Sequence, residues 1–308
     1  MIERIQDFYN SLPDELFNDP TVFAAPVYLF IILVEILIVR RKEMDLYLAK
    51  DSAASISTAL GVIVVGAGSK ILAYLWLMWV YKFRLFDFDI SIWWYWVVLF
   101  FAEDFSFYWH HRFSHHIRVL WAAHVAHHSS QKLNYSVALR QSWVEIYYKY
   151  IFWTWLPLVG FHPLHIFLFM SFNAIFQFWP HTQLIKNIGL LEWIFNTPSH
   201  HRVHHSSNVV YLDRNHAGIL IIWDRMFGTF QKELDEEPCV YGITNNIDSF
   251  NPLVIESHEY VNLWKDLKRA KKLSDKLKYI FKPPGWSHDG PDKTSDNMRR
   301  LAGLKSVK

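Results

Sequence analysis

The residue type that could do chemistry in this chain is histidine. Of 17 histidines, 15 fall between His110 and His216. Eight of them form three spaced groups: His111 with His115, His124 with His127 and His128, and His201 with His204 and His205. A neutral imidazole is a metal ligand, and residues three and four apart lie together on a helix face. HxxxH therefore points two rings one way, and HxxHH directs three rings into an arc of about 100°. Histidines kept only for packing, or scattered on a solvated face, would not repeat this spacing. Zinc takes about four ligands, so eight imidazoles imply two metal ions. The set holds no thiolate, because Cys239 is the single cysteine. That excludes a disulfide scaffold, a zinc ribbon and a CxxC redox site. There is no HExxH motif, and imidazole alone suits zinc, copper, iron or nickel.

Around these groups stand several supporting candidates. His181 is a ninth ligand candidate. Gln177, four residues earlier on the same face, is placed either to contact a metal directly or through water, or to cap a helical bundle. Asp104 precedes His111 by seven residues and His115 by eleven, close to whole helical turns. A metal-bound histidine commonly gives its other N–H to a carboxylate, and Asp104 is expected to be that acceptor. Glu103 points about 100° away. Thr197 is expected to cap the helix that begins at Pro198. His200 then faces away from the ligand set, as a supporting or substrate contact. His216 reads as a polar contact more than a ligand. His110 and His116 adjoin ligands off their face, and His162, His165, His258 and His288 are expected to be unrelated.

The elements that must position these groups are apolar. Of 308 residues, 52% are hydrophobic, 18% aromatic and only 19% charged, with a net charge of +2. The average globular chain carries about 25% charge. Disorder is excluded by the apolar content, and the charge balance gives no reason to expect a nucleic-acid partner. Thr21 to Val39 is apolar apart from Glu35 and ends at Arg40-Arg41-Lys42. About 20 apolar residues span a bilayer, and the basic triplet assigns its end to the cytoplasm. The acidic N-terminal stretch (Glu3, Asp7, Asp14, Glu15 and Asp19 against Arg4) predicts no cleavable signal peptide. Further blocks cover Ala53–Tyr81, as a tilted or broken span, and Ile90–Trp109. Residues 146–160 and 163–180 read as a hairpin that either spans or re-enters.

This pattern predicts an all-α integral membrane protein, a multi-span helical bundle with a cytoplasmic, histidine-rich di-metal cap. Residues 1–100 would hold the first spans, 101–246 the catalytic domain with the hairpin, and 247–308 a basic cytoplasmic tail. Beyond Trp264 that tail carries 13 Lys/Arg against 5 Asp/Glu. It is expected to be a solvated end, or one drawn to anionic headgroups, and mobile after Pro283-Pro284-Gly285.

The order HxxxH, HxxHH, HxxHH resembles the fatty acid hydroxylase/sterol desaturase superfamily of membrane di-iron enzymes. The flanking segments WAAH (Trp121–His124), ALRQ (Ala138–Gln141), FWPH (Phe178–His181), NTPSHHRVHH (Asn196–His205) and IWDRMFGTF (Ile222–Phe230) resemble its ether-lipid-cleaving branch. The likeness runs from about Ala102 to Asn246. It implies two irons held by His111, His115, His124, His127, His128, His181, His201, His204 and His205. It also implies O2 activation and attack on an unactivated C–H bond of a membrane lipid. In that branch, hydroxylation beside the ether oxygen gives a hemiacetal that collapses to an aldehyde and a glycerol derivative. The branch draws electrons from tetrahydrobiopterin. His116 stands here where the branch carries glutamate, so tetrahydrobiopterin or another external donor remains open. No HPGG haem motif is present, so a separate electron donor is expected.

The resulting expectation is an O2-dependent oxidoreductase that inserts oxygen into a lipid C–H bond. A desaturase on the same site is an alternative, since both reactions begin with hydrogen abstraction. A zinc-dependent membrane hydrolase would want a glutamate base beside the metal, and no histidine box contains one. A metal transporter would want ligands along a path through the spans, whereas these histidines gather at one end.

Overall fold

The computed structural model describes residues 7, 10–66 and 68–305. Part of the acidic N-terminal stretch, Glu3 and Arg4 included, lies outside the described residues. Pro20 in the first turn and the Asp19 carboxylate on the Thr21 N–H (3.0 Å) start α1 (Pro20–Arg41). Its Phe23, Phe30, Leu33 and Leu37 face outward. Asp14–Arg41 is the one described helix long and apolar enough to cross a membrane. The second apolar block is broken into α2 (Ala49–Val65) and α3 (Ser69–Tyr81), bent by 55°, which pass the same test only as a pair. Gly61 on α2 lets the Trp143 ring close in, since a Cβ there would sit 2.2 Å from the indole nitrogen.

α4 (Trp93–His116) starts among aromatics and runs without interruption into the first histidine pair. Only Ile117, in extended conformation, separates it from α5 (Arg118–His128). Of the expected hairpin, the first arm is a string of short pieces: α6 (Glu145–Tyr148), a 3-10 turn at Lys149–Trp153 and α7 (Trp155–Val159). The second arm is α8 (Pro163–Phe178), 16 residues long. Neither arm is a helix of the about 20 residues that span a bilayer. Tyr95, Leu99, Trp153, Leu156, Phe161 and Ile166 form the core that joins them to α4.

The remaining helices are α9 (Pro198–His204), α10 (Ile222–Phe227), α11 (Pro252–Arg269), α12 (Leu273–Phe281) and α13 (Ser295–Leu301). No strand occurs among the described residues, only the isolated bridges Phe195–Leu220 and Ser206–Tyr241. The C-terminal segment packs on the rest of the fold, and beyond Pro283 it does so through Arg299. Arg118 on α5 pairs with Glu259 and Asp266 of α11 at 2.8 and 2.7 Å. Tyr279 on α12 is buried with Leu263 and Ala270. Arg299 on α13 is 1% exposed. A guanidinium loses little entropy in meeting several fixed acceptors, and that is how these arginines hold a charged tail down.

Two buried carboxylates tie the apolar helices to the rest. Glu35 on α1 accepts the Tyr135 N–H at 2.8 Å and the hydroxyls of Tyr47 and Thr182. Asp51 on α2 pairs with Arg140.

Candidate metal centre

The nine candidate ligands come together in two groups. His111, His115, His124, His128 and His204 form one; His127, His181, His201 and His205 form the other. Within each group the nearest ring nitrogens all lie within 4.8 Å of one another. Helix geometry explains the division. At about 100° per residue, positions i and i+4 are about 40° apart, while i+3 lies about 60° to the other side of i. Each i, i+4 pair (His111/His115, His124/His128, His201/His205) therefore serves one group. The middle histidine of each HxxHH, His127 or His204, crosses to the other. The two boxes are interleaved, and α5 and α9 each serve both groups.

The donor chemistry fits a cation in each group. Nδ1 of His111 faces the His216 carbonyl at 2.8 Å, and that of His204 faces the Arg214 carbonyl at 2.9 Å. Those of His127 and His181 face the Arg140 and Gln177 carbonyls at 3.0 and 2.7 Å. His124 Nδ1 faces the Glu145 carboxylate at 3.2 Å. These oxygens can only accept, so each Nδ1 carries the proton and each Nε2 keeps a lone pair. The lone pairs then converge. Nε2 of His111 is 3.0 Å from that of His124, and Nε2 of His127 is 3.3 Å from that of His181. The Nε2 atoms of His115 and His204 are buried with no hydrogen-bond partner. Facing acceptors repel unless a cation lies between them. Burial, with the neighbouring imidazoles, also keeps the rings neutral. His181 is held down to about 4 and His204 to about 3, and His111, His115, His127, His128, His201 and His205 lie well below the ordinary imidazole value.

Of the supporting residues, His200 and His216 stand outside the ligand groups as expected, while Asp104 differs. Asp104 touches no histidine. Its carboxylate takes the N–H groups of Ile219 and Leu220 (2.8 and 3.0 Å), the Trp223 indole (2.8 Å) and Asn173 (3.3 Å). The shared face was not enough: at about 1.5 Å per residue His111 and His115 lie about 10 and 16 Å farther along α4, and the 219–223 segment takes the carboxylate instead. Gln177 supplies its carbonyl to His181, while its side chain donates to Asn173 at 2.6 Å. His200 packs edge-on to Phe230 and lies 3.8 Å from Glu192, away from both groups. Thr197 stands at the N-cap of α9 but gives no side-chain cap; its hydroxyl goes to Glu192, as does that of Ser199. His216 lies beside the five-histidine group, 5.0 Å from His115 between ring centroids, outside the ligand set.

Sequence reasoning missed Glu145, Arg140 and the carbonyls of residues 214 and 216. ALRQ (Ala138–Gln141) did draw attention to Arg140, though without a role. Both groups open onto one cavity of about 300 Å³. His111, His124, His127, His181 and His201 line it, with Phe107, Leu139, Met170 and Phe178 as apolar wall. Glu103, His110, Ser142 and Lys149 add polar groups to the lining. Tyr28 and Tyr135 stack on the two sides of Phe178 at 4.1 and 5.1 Å.

A fatty acid hydroxylase family model matches residues 96–229. The chain is 44% identical to human alkylglycerol monooxygenase over 213 residues, which is 69% of this chain and 46% of that protein. It is 40% identical to alkylglycerol monooxygenase of Xenopus tropicalis over 276 residues, 87% of this chain and 59% of that protein. It is 31% identical to an ornithine lipid hydroxylase of Rhizobium tropici over 147 residues, 47% of this chain and 44% of that protein. The chain thus spans about half the length of the curated relatives it matches. No solved structure matches it. All nine histidines of the two interleaved groups fall inside residues 96–229, the segment that matches the fatty acid hydroxylase family model.

Proposed function

We propose that the chain is a membrane-bound di-iron monooxygenase that places one atom of O2 into a C–H bond of a lipid, with an ether lipid as the leading substrate class. The observation that carries this is the single cavity onto which both all-imidazole groups open. Its lining mixes apolar side chains (Phe107, Leu139, Met170 and Phe178) with polar ones (Glu103, Ser142 and Lys149), as an amphiphile requires. The names of the relatives support the reaction type; two different lipid classes among them leave the headgroup to the cavity.

Two irons bound by His111, His115, His124, His128 and His204 and by His127, His181, His201 and His205 would supply the activation of O2. The chain's own residues do the rest. Phe107, Leu139, Met170 and Phe178 hold the alkyl chain against the imidazoles. Ser142, Lys149 and Glu103 offer donors and acceptors to the polar end. The stacked Tyr28, Phe178 and Tyr135 keep bulk water from the reacting carbon. The carbonyls of residues 140, 177, 214 and 216 fix the tautomers. Asp104 acts indirectly, by holding the 219–223 segment; Gln177 lines the cavity beside His181 and its side chain donates to Asn173. The second oxygen atom leaves as water, so two electrons must come from a separate donor, tetrahydrobiopterin or another external reductant. In this reading α1, the α2–α3 pair and the first part of α4, up to Trp109, cross the bilayer, the 146–180 segment re-enters it, and the histidine cap faces the cytoplasm, on the side of Arg40 and Arg41. A hydrolase is less well supported, because Glu145, the carboxylate nearest the metal groups, is engaged by His124.

The test is metal analysis of detergent-purified protein beside His204→Ala, followed by turnover of an alkyl glycerol ether with O2 and a reduced pterin, reading the aldehyde. About two irons per chain are expected, with loss in the variant. Folded protein that binds no metal would refute the reading.

A further inference from the structure

The C-terminal helix α13 reaches the metal centre through one side chain. Arg299 is 1% exposed. Its Nη1 donates to the carbonyls of Val209 and Leu212, both at 2.9 Å, and its Nη2 to that of Val210 at 2.9 Å. Its Nε reaches the Lys305 carbonyl at 3.3 Å. A planar guanidinium is suited to gripping several carbonyls of one loop at once.

The gripped loop leads directly into residues 213–216. Asp213 and Asn215 both hold left-handed backbone, with φ of 53° and 57°, a conformation that side-chain-bearing residues keep only when their surroundings impose it. Asn215 is held from the other side by the carbonyls of His200 and Gln231 at 3.0 and 2.7 Å. In that conformation the four residues present three acceptors to three histidines. The Asp213 carboxylate lies 3.5 Å from His115 Nδ1, the Arg214 carbonyl 2.9 Å from His204 Nδ1, and the His216 carbonyl 2.8 Å from His111 Nδ1. All three rings belong to the five-histidine group. The acceptors found for the four-histidine group, the carbonyls of Arg140 and Gln177, lie elsewhere in the chain.

We infer that Arg299 is a positioning residue for one of the two metal sites. Through residues 213–216 it sets the tautomer and direction of His111, His115 and His204, and so controls occupancy of the five-histidine site while leaving the four-histidine site alone. The inference rests on the two-metal reading above.

The experiment titrates ferrous iron anaerobically into the purified full chain and counts bound metal by mass spectrometry. The proteins are wild type, Arg299→Met, Arg299→Lys, Asp213→Asn, and Arg269→Met as a control from the same C-terminal region. Loss of outer hydrogen-bond partners weakens a metal site by about 10–100-fold. Arg299→Met should therefore show one tight site and one weakened by that factor, with wild-type elution and helicity. Adding His181→Ala to it should abolish the tight site. Asp213→Asn leaves the arginine contacts intact and should weaken the same site, so a poorly folding Arg299→Met does not end the test. Two tight sites in folded Arg299→Met and Asp213→Asn would overturn the inference alone, and so would equal weakening of both sites. A wild-type chain that binds no iron would instead overturn the two-metal reading.

Discussion

Arg140 offers the sharpest test of how the apolar helices hold the metal centre. Its side chain is buried against Asp51 and also donates to Ser129 Oγ at 2.9 Å, Ser55 Oγ at 3.2 Å and the Asp51 carbonyl at 3.1 Å. Its own carbonyl is the acceptor for His127. Arg140→Met removes the cation and leaves the Asp51 carboxylate buried with the Ser130 hydroxyl at 2.5 Å. Breaking one side of a buried ion pair costs about 3–5 kcal/mol. Against a total stability of about 5–15 kcal/mol, that is about a fifth or more. With roughly 2–4 °C of melting temperature per kcal/mol in chains of comparable size, the variant should melt roughly 6–20 °C lower. The paired change Asp51→Leu with Arg140→Met removes both charges. Such exchanges are often neutral or stabilising, so the double variant should recover most of the loss. Tryptophan fluorescence during heating in detergent reads both. A single variant melting within about 2 °C of wild type, or a double variant no better than the single, would refute the argument.

His124→Ala should lose metal and activity, while His258→Ala should keep both, because the His258 ring faces the Ile255 carbonyl outside either group; metal content per chain separates them. Glu145→Gln replaces the carboxylate on His124 with a neutral amide. It should weaken iron binding about 10–100-fold with little change in melting, as read by competition with a chelator. The metal-free protein should lose stability as pH falls. His181 and His204 titrate at about 4 and 3 in the fold against about 6.5 unfolded. Between those values the unfolded chain binds more protons, so stability rises with pH there and is lost from about pH 6.5 downward. Melts of the apoprotein at several pH values check this, and a flat profile between pH 4.5 and 6.5 would contradict it.

The ligand set was legible because it is local. An i, i+3, i+4 pattern survives in any helix, and the nine histidines could be named from spacing and one family resemblance. The partition between the two groups was implicit in the same 100° step. What supports the ligands was hidden for two reasons. Most acceptors are backbone carbonyls, which every residue carries, so Arg214 and His216 show no signal in their side chains. The contacts are also distant, with 105 residues between His111 and His216 and 90 between Arg299 and Val209. Asp104 shows the converse error. Its face matched the ligands, but two and three helical turns of rise, about 10 and 16 Å, separate it from His111 and His115, and nothing in the sequence said that residues 219–223 would take its carboxylate. The hairpin was ambiguous because apolar runs of this length form short turns as readily as helices. Most of the tail's basic residues are solvated as its charge suggested, but a charge count does not tell Arg299, which is buried, from its exposed neighbours.

Glu35 gives one helix an unexpected reach. It is the single carboxylate in the apolar run of α1, and its partners include Thr182, the residue after His181. That contact fixes the axial register of α1 against a ligand of the four-histidine group. A transmembrane helix responds to the thickness of its bilayer by tilting or shifting. With α1 in a membrane, hydrophobic mismatch acts on Thr182 through Glu35. A shift of α1 along its axis would then be passed by Glu35 to Thr182, next to His181.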